Sequence, residues 1–188
     1  MGTLTRQAIE TIGFASVGDN VLIDDAARFY GAQRITIGSN VRVDAYCVLS
    51  AGPGGIVIGN HVHLAVYVSL IGAGRIEIKD FGNISGRVSI YSSTDDFHGQ
   101  GLTGPTVPPK LRNVLNAPVT IGRHVVIGTG SVILPGVEIG DGASVGALSL
   151  IKRNVQPFMI VAGPKARVIG ERTKDFLKLE AKLHSEPH

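Results

Sequence analysis

The chain of 188 residues has the length of one domain with a sizeable core, and its net charge of +3 is too small and too dispersed to mark a duplex-binding surface, although it suits an anionic small molecule. Charged residues are only 18% and aromatics 5%, while glycine contributes 25 residues, a balance that disfavours a helical bundle and favours short strands joined by tight corners. The single cysteine, Cys47, excludes an internal disulfide, and with no long apolar span or charged-then-apolar leader the chain reads as soluble and cytoplasmic, without membrane or nucleic-acid partners.

In chain order, residues 1–14 read as an N-terminal cap in which Leu4 to Gly13 form a short amphipathic helix closed by glycine. From Val17 onward aliphatic residues recur every six positions, in groups of three: Val17, Ile23, Phe29; Ile37, Val43, Leu49; Ile58, Leu64, Leu70; Ile78, Ile84, Ile90. The register resumes at Ile121, Ile127, Ile133, Ile139, Val145 and Ile151, four of them followed directly by glycine. Three sixes make one turn of a triangular solenoid. A small side chain four residues after most anchors, among them Val21, Cys47, Val68, Val125, Ser131 and Ser149, supplies a filler near each corner. The corners need backbone that tolerates the left-handed region, and Asn20, Asn40 and Asn60 fall near them. The reading is an all-β parallel β-helix of about six coils over residues 15–154, roughly 29 Å tall at the spacing of a parallel sheet.

The period is interrupted once. The step from Ile90 to Ile121 takes 31 residues where other steps between coils take six to nine, so residues 92–118 leave the rod as an excursion loop. It is polar at its root, D-D-F-H from Asp95 to His98, and stiffened by prolines further out, which favours an ordered arm; a long insertion in a compact repeat is usually functional. Residues 155–188 form a C-terminal segment and a charged helix from Thr173 to His184 with apolar Phe176, Leu177, Leu179 and Leu183, expected to cover the last coil.

These residues resemble the hexapeptide-repeat acyltransferases, which include galactoside, maltose and xenobiotic acetyltransferases. The most specific stretches are V-T-I-G-R-H-V-V-I-G-T-G-S-V-I-L-P-G-V-E-I-G, from Val119 to Gly140, and V-A-G-P-K-A-R-V-I, from Val161 to Ile169. F-G-N-I-S-G-R from Phe81 to Arg87, then Y-S-S-T-D-D-F-H-G and G-P-T-V-P, is most similar to the members that N-acylate dTDP-4-amino-4,6-dideoxyglucose. The resemblance implies left-handed crossovers and a homotrimer with active sites between neighbouring rods. It also implies acetyl-CoA or another acyl-CoA as co-substrate, a nucleotide-sugar acceptor and no metal. It places coenzyme A at Gly128, Thr129, Ala147, Ile151, Lys152, Lys165 and Arg167, where small residues admit the pantetheine amides and basic residues meet the phosphates.

His98 and Asp95 are the catalytic candidates. An imidazole oriented by a neighbouring carboxylate is a general base near neutral pH, and an aspartate can accept hydrogen bonds from a substrate ammonium. Substrate contacts are expected from Asn83, Ser85, Asp96 and Tyr67. Bland readings stand beside these: Asp95 and Asp96 capping the turn that starts the arm, Asn83 and Ser85 as ordinary corner residues, His98 as a solvated loop histidine. A sugar O-acetyltransferase of the galactoside or maltose type is an alternative, in which the base would act on a hydroxyl. A zinc-dependent protein resembling the γ-class carbonic anhydrases, drawing on His61, His63 and His124, is another, as is a non-enzymatic trimeric scaffold. Cys47 holds a filler position and reads as a buried, inert thiol.

Overall fold

A computed structural model describes residues 2–185; residue 1 of the expected cap and residues 186–188 of the C-terminal segment lie outside the described residues. The rod is a three-sided prism of parallel strands. Sheet I contains Ser16–Val17, Ile35–Ile37, Ile56–Ile58, Ile76–Ile78, Val119–Ile121 and Glu138–Ile139 in that order. Sheet II begins with Leu22–Ile23, Arg42–Val43, His63–Leu64, Asn83–Ile84, Val126–Ile127 and Ser144–Val145. Sheet III contains Arg28–Tyr30, Val48–Ala51, Ser69–Gly72, Ser89–Tyr91, Val132–Ile133 and Leu150–Ile151. Six coils are complete. A seventh begins with a bridge from Val155 to Ile139 and a Met159–Ala162 strand that pairs in parallel with Ser144–Val145, then turns back as the antiparallel strand Arg167–Glu171.

The anchors stack directly: Leu64, Ile84, Ile127 and Val145 are successive partners in sheet II, and Leu70, Ile90, Ile133 and Ile151 in sheet III. All are buried except Val17 and Phe29 of the first coil, which pack partly exposed against the core. The small fillers are buried as well, Ser131 and Ser149 included. Ser131 Oγ donates to the Gly146 carbonyl at 3.0 Å and Ser149 Oγ to the same oxygen at 2.7 Å, which meets the hydrogen-bonding demand of a hydroxyl inside an aliphatic column. A further inward column, Ile35, Ile56, Ile76 and Val119, lies two residues before the sheet I anchors and is not among the sixes.

Cys47 is fully buried, with Sγ 3.1 Å from the Ala65 carbonyl, and burial pushes its thiol up to about 11. A thiol-specific reagent is expected to leave the native protein unmodified and to label Cys47 in denaturant. Labelling of the native protein at the rate of a free thiol would show that this coil is open.

Each corner is a column of residues in the left-handed region. Between sheets I and II the column runs Asn20, Asn40, His61, Phe81 and His124, with φ of 53°, 58°, 55°, 60° and 57°. Asn20 and Asn40 are where the sequence suggested; in the third coil the position belongs to His61, not Asn60. The step from Ile37 to Ile58 is one residue longer than that from Val17 to Ile37, which moves the corner on by one. Asn60 instead turns its amide oxygen to the Ser39 N–H at 2.8 Å.

The helix Arg6–Thr11 (α1) has Thr5 as its N-cap, accepting from Ala8 N–H at 3.2 Å, and buries Ile9. The helix Phe176–Ser185 (α2) differs from expectation in where it sits. It docks on the first corner column rather than over the last coil. Phe176 packs 4.9 Å from the His124 ring, and Glu180 bonds both Arg123 and His124 Nε2, the latter at 2.9 Å. Leu177 and Leu179 are left exposed, because the residues facing the rod are Phe176, Glu180 and Leu183, spaced at i, i+4 and i+7. Gly142 makes room for this contact: at φ 69° a Cβ there would sit 2.5 Å from the Phe158 ring and 3.2 Å from that of Phe176.

Candidate active site

The corner between sheets II and III gathers five of the predicted site residues, Tyr67, Ser85, Gly128, Thr129 and Ala147. Its left-handed column is Tyr46, Tyr67, Arg87, Gly130 and Leu148. Just before it lies a strip of small residues: Ser85 and Gly86 in the fourth coil, Gly128 and Thr129 in the fifth, Gly146 and Ala147 in the sixth. The coils lock together through this strip. Thr129 Oγ1 donates to the Gly86 carbonyl at 2.6 Å, and Leu148 N–H to the Thr129 carbonyl at 2.9 Å. A Cβ on Gly128 would run into the backbone nitrogen of Ala147, so the strip is as narrow as backbone allows.

Below Ala147 the chain leads into the returning hairpin. Leu150 N–H donates to the Gly163 carbonyl at 3.2 Å, and Gly163 N–H to Ser149 Oγ at 2.9 Å. Between the last complete coil and that hairpin is a cavity of about 510 Å³, lined by Ile151, Lys152, Arg153, Lys165, Arg167 and Val168 among others. Four of the seven residues expected to hold coenzyme A therefore line one cavity, and Gly128, Thr129 and Ala147 form the strip that runs up from it. No carboxylate pairs with Lys152, Arg153, Lys165 or Arg167 among the described residues. Such a cluster suits a ligand with several phosphates.

The arm leaves where the fourth-coil strand of sheet III, Ser89–Tyr91, ends on the side away from the Tyr67–Arg87 corner. Its root pairs Ser93–Thr94 antiparallel with Leu115–Asn116, and Ser93 Oγ donates to Asn116 Oδ1 at 2.6 Å. Asp96 organises the turn: its two oxygens accept from the backbone N–H groups of His98, Gln100 and Gly101. Those bonds, that from His98 foremost, hold its carboxyl below the usual carboxylate range. The turn-capping reading thus describes Asp96. Asp95 is exposed, and among the described residues its carboxylate makes one long contact, 3.5 Å from Gly104 N–H. The His98 ring is exposed too, and Asp96 orients its backbone rather than its imidazole.

Ser85 and the arm root do not meet within one rod. They stand at two ends of the Ser89–Tyr91 strand, and the six steps of backbone from Arg87 to Ser93 span about 20 Å when extended. Ser85 is half-buried and its hydroxyl makes no hydrogen bond among the described residues. Asn83 is exposed and pairs with His63, whose Nε2 lies 2.8 Å from Asp44 Oδ2. Burial alone would raise Asp44, but the hydrogen bonds from His63 and Arg42 outweigh it and keep the carboxyl low. Sequence reasoning missed this Arg42–Asp44–His63 group, because its members lie on two coils. It also gave no role to Arg87.

The three histidines weighed as zinc ligands have other partners. His61 and His124 stack on opposite faces of Phe81, at 4.8 and 4.7 Å, and His63 is bonded to Asp44. Among the described residues no group of three His, Cys, Asp or Glu side chains could hold a metal ion, and no helix is long and apolar enough to cross a membrane.

Residues 118–153 match the bacterial transferase hexapeptide family (six repeats). The chain is 47% identical over 181 residues to a dTDP-4-amino-4,6-dideoxy-D-glucose acyltransferase of Escherichia coli, covering 96% of this chain and 94% of that protein. Among solved structures it superposes with a TM-score of 0.94 on AntD, an N-acyltransferase from Bacillus cereus, in complex with dTDP and 3-hydroxybutyryl-CoA, at 40% identity over 98% of each chain. An AntD variant with one serine changed to alanine, in complex with dTDP-4-amino-4,6-dideoxyglucose and coenzyme A, also superposes at 0.94, with 39% identity over 98% of each chain. The stacked triangular coils, the arm between the fourth and fifth of them and the near-complete overlap with these proteins make one assignment: the chain belongs to the hexapeptide-repeat acyltransferases, with their left-handed β-helix fold.

Proposed function

We propose that the protein transfers an acyl group from an acyl-CoA to the 4-amino group of dTDP-4-amino-4,6-dideoxyglucose, in a ternary complex. The observation that carries this reading is the placement of Ser85 directly above the Gly128–Thr129–Ala147 strip and its cationic cavity. Pantetheine lying along the strip brings the thioester up to Ser85, and the acceptor occupies the space beyond. The E. coli relative named for this aminosugar and the AntD complexes with the sugar nucleotide and coenzyme A support the same acceptor.

In the proposed step the neutral amine attacks the thioester carbonyl, its lone pair forming the C–N bond. The tetrahedral oxyanion is met by backbone N–H groups and the Ser85 hydroxyl. Collapse breaks the C–S bond and expels coenzyme A thiolate, which takes up the proton lost by nitrogen. Asp95 accepts hydrogen bonds from the ammonium and presents the amine, with His98 beside it as a proton acceptor; Asn83 and Tyr67 complete the substrate side. The buried thiol of Cys47 does not take part, so no acyl-enzyme forms on sulfur.

Asp95 and Ser85 belong to one site only if the arm of one rod reaches the Ser85 corner of the next, which a homotrimer provides. The arm is built for such a contact: Phe97, Leu102, Leu111 and Leu115 are exposed on it, Phe97 by 88%, and Arg112 Nε is buried without a partner among the described residues. Light scattering should return three times the chain mass of 19.7 kDa.

Mass spectrometry of a reaction containing acetyl-CoA or 3-hydroxybutyryl-CoA and the aminosugar nucleotide is expected to show the amide, with one free thiol released per amide. Turnover with a hydroxyl sugar and none with the aminosugar would replace this reading with that of an O-acetyltransferase. Absence of acyl-CoA binding would leave only a scaffold.

A further inference from the structure

Arg87 closes the F-G-N-I-S-G-R segment, yet neither the cofactor strip nor the arm uses it. It sits at the fourth-coil corner with φ of 60°, a conformation that disfavours any residue carrying a Cβ and that glycine adopts freely at Gly130 one coil below. Its guanidinium lies over the Tyr67 ring, 5.6 Å from the centroid, and Tyr67 stacks in turn on Tyr46 with centroids 4.9 Å apart and planes 14° from parallel. No carboxylate pairs with Arg87 among the described residues. An exposed cation aimed by an aromatic face and left unneutralised is a receptor for an anion.

Position selects the anion. The phosphates of coenzyme A are served by the cavity two to three coils below, roughly 10–14 Å away at the spacing of stacked coils. Arg87 is two residues from Ser85, at most about 7 Å along the chain. In a 4-amino-4,6-dideoxyhexose joined to a nucleotide through C1, amine and diphosphate leave opposite sides of the pyranose ring. An amine held at Ser85 therefore directs the diphosphate away from the thioester, towards the coils of Arg87 and Tyr67. We propose that Arg87, held over Tyr67, binds the diphosphate of the sugar nucleotide; the assignment rests on the aminosugar reading above.

Titration calorimetry with dTDP and steady-state kinetics on Arg87→Gln and Arg87→Gly test it. Both variants are expected to weaken dTDP binding and to raise KM for the aminosugar nucleotide about tenfold or more, the scale of a lost charge-assisted hydrogen bond, with KM for acyl-CoA unchanged. Arg87→Gly should at the same time raise the melting temperature, because glycine relieves the left-handed corner; a loss of binding in a more stable protein cannot be ascribed to misfolding. If the wild type acylates the aminosugar and Arg87→Gly binds dTDP as tightly, the role of Arg87 is refuted while the proposed function stands. If the wild type neither binds dTDP nor acylates the aminosugar, the proposed function falls and takes this assignment with it.

Discussion

Asp95→Asn is expected to lower kcat/KM for the aminosugar about a hundredfold, whereas His98→Ala costs about tenfold or less. The difference follows from the nucleophile. An amine is already nucleophilic once deprotonated, so the site has to hold it and collect a proton, and a carboxylate that accepts from the ammonium does most of that. A hydroxyl would need a strong base throughout, and loss of His98 would then remove nearly all turnover. The structure adds a reason to rank Asp95 first: the Asp96 carboxylate is committed to three backbone N–H groups of the turn, while among the described residues the Asp95 carboxylate makes only the long contact to Gly104. Steady-state kinetics of the two variants decide between them. A dead His98→Ala with unaltered substrate binding, beside an active Asp95→Asn, would overturn the aminosugar assignment.

Ile84→Ala should destabilise the protein by about 3 kcal/mol, within the range of buried large-to-small substitutions, and lower the melting temperature by roughly 6–12 °C. Ile84 is fully buried in the fourth coil between Leu64 and Ile127, and its backbone is held on both sides by parallel pairing, so the prism cannot collapse into the space left behind. The residue also stands directly beneath Ser85 in sequence, and the fourth coil launches the arm. Thermal or urea unfolding measures the loss. A change below about 1 kcal/mol would mean that the coils repack around the void, contrary to the density of a protein interior.

Much of the rod was legible because the repeat is local. A large aliphatic residue every six positions and a small one four later can satisfy only a triangular coil, and the one long gap in that period marks the arm. The Gly128–Thr129–Ala147 strip follows the anchors Ile127 and Val145 in the same way, but its assignment to coenzyme A came from the family resemblance and not from the period. The column Ile35, Ile56, Ile76 and Val119 escaped, although a count of two back from each sheet I anchor would have found it.

The amino-acid sequence by itself determined the coil: its three faces, its aliphatic interior, its small-residue edge and the place where it is interrupted. Only the tertiary structure decided what stands above what. Successive rungs of the first corner, Asn20, Asn40, His61, Phe81, His124 and Gly142, are separated by 20, 21, 20, 43 and 18 residues. Each rung stands three residues after its sheet I anchor, so the period puts His61 at the corner. Nothing in the period reveals that its ring stacks on Phe81, that Arg87 lies over Tyr67, or that α2 seats Phe176 against His124. The physical reason is that side chains inside the prism are set by the period within one coil, whereas those on its edges meet their partners across coils, where connection length fixes the register.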